Sequence, residues 1–88
     1  MKIHEIKYFL GCKGIRFSDI DKQFALRVGT ARLAVSKPHK AGEEALAKIL
    51  GISVKELFPA RYDELGNRYN PQPAENYIYK TMQIEQDA

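Results

Sequence analysis

Apolar residues recur along the first half of the chain at three- and four-residue intervals, the spacing that lines one face of a helix. Ile3, Ile6 and Leu10 predict a first helix over about residues 2–10, with Tyr8 and Phe9 widening its apolar face. Gly11 and Gly14 are expected to end it, because both accept the left-handed backbone that stops helices. Ser18 has the chemistry of an N-cap, and Asp19 and Asp21 would fall in the positive first turn of the helix it opens. Ile20 and Phe24, four apart, give that second helix a core side and a length of about seven residues. A break follows over Ala25 to Val28. The next helix is expected over about residues 27–36, with Leu26, Ala31, Ala34 and Val35 inward, and it stops because Pro38 disfavours helical geometry at Lys37. Its small inward alanines imply that two helices approach closely.

Glu43 and Glu44 are expected to open a fourth helix with a buried stripe of Leu46, Ile49 and Leu50, closed by Gly51. Ser53 and Glu56 form a capping box, Ile52 and Leu57 take its hydrophobic-staple positions, and Pro59 stops this fifth helix after one or two turns. Past residue 66 the character changes. Gly66-Asn67 is a turn signal that would join Tyr62–Leu65 to Arg68–Tyr69 as a small hairpin, and Pro71 and Pro73 make the next segment extended. The end, from Tyr77 to Ala88, reads either as a short helix that folds on a partner or as a frayed tail. The expected architecture is all-α: about five short helices in a unit at 1–66, with an extended or partly ordered C-terminal arm at 67–88.

Composition narrows the function classes. The 88 residues fit one domain, and no apolar run approaches the roughly 20 residues that span a bilayer. Lys2, His4, Glu5 and Lys7 interrupt any signal-peptide core, and a single cysteine, Cys12, excludes an intramolecular disulfide, so a reducing, cytoplasmic setting is expected. Cys12 and His4 are too few ligands for a tetrahedral metal site. Ser18 and Thr30 have no histidine or paired carboxylate at a spacing that would activate them, so neither catalysis nor a cofactor is expected. The net charge of +3 hides an asymmetry: residues 1–42 hold nine basic and three acidic side chains, residues 43–88 five and eight. No acid lies between Asp21 and Glu43, whereas Lys22, Arg27, Arg32, Lys37 and Lys40 do. Such a stretch attracts phosphates, although a solvated cationic surface has the same composition.

Two short helices joined by a tight turn, the second leading with basic and small polar residues, are the parts of a helix-turn-helix reader. The row Gly29, Arg32, Ser36 would face outward, with Arg27 at the leading end. Arg27 and Arg32 have the paired donors that match a guanine edge; Thr30 and Ser36 suit base edges or phosphates, and Leu33 or Val28 a thymine methyl. Lys37 and Lys40 beyond the helix, and Ser18 and Gln23 on the preceding one, suit backbone phosphates, which set register while the groove row reads sequence. Arg61 and Tyr62 are expected to be structural, with Arg61 bonding helix-end carbonyls or Glu56. The tyrosines at 69, 77 and 79 suit a dimer contact or tail anchor, or stacking on single-stranded bases.

From Gly14 to Tyr62 the chain resembles the Ner-like regulators of Mu-type transposable phages and their bacterial Nlp relatives, small λ-repressor-like DNA-binding proteins. The strongest match runs from Leu50-Gly51-Ile52-Ser53 through Glu56-Leu57-Phe58-Pro59 to Arg61-Tyr62, with Pro38 and Gly42-Glu43 also in place. The resemblance implies a λ-repressor-like bundle and a double-stranded DNA-binding transcriptional regulator, a repressor of phage or prophage type. It also suggests two copies on a two-fold operator, pairing on the DNA. Two positions depart from the pattern. Ala25 stands where the family usually has Gly in the turn, and Asp21 where such motifs are small and apolar. An acid between two helices is costly unless it stays wet or is paired. The competing reading is a protein-interaction module, an adaptor, antirepressor or antitoxin on the same scaffold, with the arm clasping a partner.

Overall fold

The first helix, α1 (Ile3–Cys12), runs through Gly11 and gives way at Gly14, whose φ is 68°. This computed structural model describes residues 1–77. In α1 only Ile6 and Leu10 are buried; Ile3, Tyr8 and Phe9 face solvent, the two rings edge-on at 5.4 Å. The apolar face is thus narrower than the sequence suggested, because α1 lies at the rim of the bundle and a single stripe reaches the core. The second helix, α2 (Phe17–Gln23), opens one residue ahead of Ser18. Its N-cap is Arg16, whose N–H donates to Asp19 Oδ2 at 2.9 Å. Asp19 thus ties back the residue ahead of the helix, and Ser18 lies in the exposed first turn.

The third helix, α3 (Thr30–Ser36), begins three residues later than its hydrophobic pattern suggested, and α4 (Lys40–Leu50) three residues earlier. The early start of α4 comes from His39, whose Nδ1 accepts from the Gly42 N–H at 3.2 Å. Lys40 therefore sits in the first turn of α4 rather than in a loop, and Glu43 lies one turn inside, fully buried. On α4 the buried face is Gly42, Glu43, Ala45, Leu46 and Ala47, while Ile49 and Leu50 are half-buried. Gly51, at a φ of 71°, closes the helix with its N–H on Ala47 O at 2.9 Å. The last helix, α5 (Val54–Leu57), starts at the expected cap: Ser53 Oγ accepts from the Glu56 N–H at 3.1 Å. Pro59 then opens a 3-10 turn, Pro59–Arg61.

These five helices form an all-α bundle with α4 at its centre, touching α2, α3 and α5. Ile6, Leu10, Ile20, Ala31, Ala34, Leu46, Leu57 and Phe58 make one continuous core. The tightest approach joins α3 to α4. A Cβ built on Gly42 would lie 2.6 Å from Ala34 Cβ and 3.1 Å from Thr30 O, so only glycine lets the helices meet here. That is the close contact the inward alanines implied.

The hairpin expected around Gly66 reduces to one antiparallel bridge, Tyr62 to Arg68, and the described residues contain no strand. Asp63 ties the turn by accepting from the Leu65 and Asn67 N–H groups through Oδ1, each at 2.9 Å. The chain then returns to the bundle. Tyr69 N–H and Gln72 Nε2 both donate to Arg61 O, at 3.1 and 3.0 Å, and Asn76 Nδ2 donates to Ala60 O at 3.3 Å. A second 3-10 turn, Ala74–Tyr77, follows. The readings made for Ile78 to Ala88, Tyr79 among them, lie outside the described residues. No helix of the described residues is long and apolar enough to cross a membrane.

Candidate nucleic-acid interface

The turn between α2 and α3 is built on two residues a local pattern would not choose. Ala25 adopts a φ of 54°, the left-handed conformation that glycine usually supplies. Leu26 N–H then closes back on Asp21 O at 2.7 Å. The N-cap of α3 is Gly29, with a φ of 89° and no side chain to offer the helix. Asp21 supplies the cap from α2 instead. Its Oδ2 accepts from the Gly29 N–H and its Oδ1 from the Ala31 N–H, both at 2.8 Å, in a site where Asp21 is 3% exposed. A carboxylate at the positive end of a helix is electrostatically favoured, and here it fixes α3 against α2.

That anchoring sets which residues of α3 face outward. Arg32 and Ser36 are exposed and Leu33 half-buried, one row with Gly29, while Ala31 and Ala34 point into the core. The Ser36 hydroxyl donates to Leu33 O at 3.1 Å. Arg27 and Val28 precede the helix rather than starting it, and Val28 is 98% exposed at the corner of the turn. Thr30, read from sequence as a base or phosphate contact, is buried at the first position of α3. Lys37 is half-buried at the C-cap; Lys40, Ser18 and Gln23 are exposed on α4 and α2. The described ion pairs engage Arg16, Arg61 and Arg68, so among the described residues Arg27, Arg32, Lys22 and Lys40 have no carboxylate partner.

A family model described as winged helix-turn-helix DNA-binding matches residues 1–74. The chain belongs to this family. No curated protein and no solved structure matches it significantly. As a helix-turn-helix DNA-binding protein it carries α2 and α3 as the paired helices, with the Ala25 turn between them.

The far end of α3 in this helix-turn-helix is held by a buried polar network that local sequence did not disclose. Arg61 Nη1 donates to Ala34 O at 2.6 Å and Nη2 to Val35 O at 3.3 Å, satisfying two of the orphan carbonyls at the helix end. The carbonyl bonds agree with the structural role expected of Arg61, but its acidic partner is Glu43 at 3.2 Å, not Glu56. Glu43 also accepts from the Tyr62 hydroxyl at 2.7 Å, from Arg68 Nη2 at 3.3 Å and from the His39 N–H at 2.7 Å. The Arg61 guanidinium lies 3.9 Å above the Phe58 ring. Burial pushes the Glu43 carboxyl up, but the Tyr62 hydroxyl, Arg68, the His39 amide and Arg61 together hold it below the ordinary carboxylate value. Burial raises the Tyr62 phenol, and Glu43 raises it further. Glu43, expected from sequence only to open the fourth helix, is thus the acid that joins α4, the Tyr62–Arg68 turn and the end of α3. Among the described residues no group of three or more His, Cys, Asp or Glu side chains could hold a metal ion.

Proposed function

We propose that this protein is a sequence-specific transcriptional regulator that lays α3 in the major groove of duplex DNA, and that it acts as a repressor of the Ner-like, λ-repressor-like, phage type. The observation that carries the reading is the outward face of α3: a row of Gly29, Arg32, Leu33 and Ser36 with Arg27 and Val28 at its leading end, its arginines free of acidic partners among the described residues. A helix about 10–12 Å across fits a groove about 12 Å wide. In this reading Arg32 and Arg27 donate to guanine edges, Val28 and Leu33 touch thymine methyls, and Ser36 bonds a base edge or phosphate. Lys37, Lys40, Ser18 and Gln23 take backbone phosphates and set register. Thr30, being buried, serves the α3–α4 contact instead. The DNA-binding unit is residues 1–66, followed by the arm at 67–88, of which Gln72 and Asn76 brace the unit through their bonds to Arg61 and Ala60. Two copies occupy a two-fold operator with half-sites about one helical turn apart, pairing on the DNA, and the setting is the bacterial nucleoid in the cytoplasm.

Selection of bound duplexes from a random pool tests this reading. A recovered motif with two related half-sites about 34 Å apart is expected. Failure to enrich any sequence, with no retention of random duplex at low salt, would overturn it and point to a protein partner for the cationic face.

A further inference from the structure

Beside the outward row, α1 and α3 border a cleft of about 260 Å³. Lys7 from α1, Arg16 from the entry to α2 and Arg32 from α3 all line it, together with Leu10, Gly11, Ile15 and Phe17. No acid is among its described lining residues. Arg16 keeps one loose partner, Asp19, at 3.5 Å from Nε, and its own side chain is 81% exposed. Lys7 is exposed and has no ion pair among the described residues. The same two helices also border the opening lined by Lys2, Ile3, Val35 and Ser36, so α1 flanks α3 from Arg32 to Ser36.

Three cations from three segments meeting at one concave place hold a local excess of positive charge that a single tetrahedral oxyanion would relieve. We propose that this cleft seats one DNA backbone phosphate, held by Lys7 and Arg16, next to the bases that Arg32 reads. The inference rests on the proposed reading of α3, and it adds α1, to which no role in binding had been given, to the DNA interface. A helix lying in the groove brings a phosphate strand along each flank, and duplex DNA carries about one charge per 1.7 Å of its axis. The strand on the α1 side passes this cleft.

The test is the salt dependence of binding to a random-sequence duplex, read by fluorescence anisotropy for the wild type and the Lys7→Gln/Arg16→Gln double variant. Losing one phosphate contact lowers the slope of log K against log salt by about 0.9. The expected result is that drop in the double variant, an unchanged circular dichroism spectrum, and a wild-type slope retained by Lys7→Arg/Arg16→Lys. A double variant with the wild-type slope overturns the cleft while leaving the α3 reading intact. A wild type that binds no duplex at low salt overturns both. Inorganic phosphate, titrated against a chloride control of equal ionic strength, is expected to leave the Lys7 and Arg16 side-chain resonances in place. If it moves them while the duplex slope stays unchanged, the cleft is a free-anion site and the DNA assignment is wrong.

Discussion

Ala25 and Asp21 show how much of the helix-turn-helix depends on single residues. An L-residue in the left-handed region costs about 1–2 kcal/mol, and Ala25 bears that strain at a φ of 54°. Ala25→Gly removes it, less roughly 0.4–1 kcal/mol for the more disordered unfolded chain. A net gain of about 0.5–1 kcal/mol is expected in urea unfolding; a loss would mean that the alanine methyl packs productively. Asp21→Ala strips the acceptors from the Gly29 and Ala31 amides and should cost about 2 kcal/mol, within the range for a lost cap and an orphaned buried donor. Unchanged unfolding would show that water replaces the carboxylate. Glu43 makes stability depend on pH with a definite sign. Its folded pKa lies below the unfolded value, so its contribution is present above about pH 4.3 and is lost as pH falls through the lower folded value. Tyr62 acts in the opposite direction, contributing below about pH 10 and losing that contribution as pH rises beyond it. Urea midpoints measured from pH 7 to pH 3 should fall steeply in the wild type and more gently in Glu43→Gln. Parallel curves would remove Glu43 from the acid response.

At the level of elements, the inward faces were legible and the helix starts were not. Ile6 with Leu10, Ile20, Ala31 with Ala34, Leu46 and Leu57 all enter the core from the positions their spacing assigns. Ser53 also caps α5 as read, because donor and acceptor are three residues apart and the pattern is local. The starts of α3 and α4 moved by three residues each for a shared reason. Asp21 caps α3 from eight residues away, and the imidazole of His39 caps α4 where a serine or aspartate is the usual sign. The Glu43 network was hidden more deeply, since its arginines lie 18 and 25 residues along the chain and no periodicity links them. Gly42 is the element-level prediction. Gly42→Ala drives a methyl against Ala34 and Thr30 and should cost about 1–3 kcal/mol, as overpacked sites do. A variant as stable as the wild type would show that α3 and α4 can slide apart freely.

Across the whole molecule the charge layout was readable, and its pairing was not. Composition separates a basic first part from an acidic second, but folding decides which charges stay free. Arg61 and Arg68 are drawn inward onto Glu43 and leave the surface budget, whereas Arg27, Arg32 and Lys40 remain unpaired among the described residues. The Asp21 cap at one end of α3 and the Arg61 bonds at the other hold the helix rigidly between those free cations. Preorganisation of this kind lowers the ordering cost of binding. The sequence readout proposed for α3 depends on its exposed arginine reading a base. The direct measurement is the affinity of Arg32→Ala for the selected operator and for random duplex under the same salt. A loss of about 1–3 kcal/mol is expected on the operator and far less on random DNA. Equal losses on both would make Arg32 a phosphate contact and contradict the claim that this face of α3 carries the sequence readout.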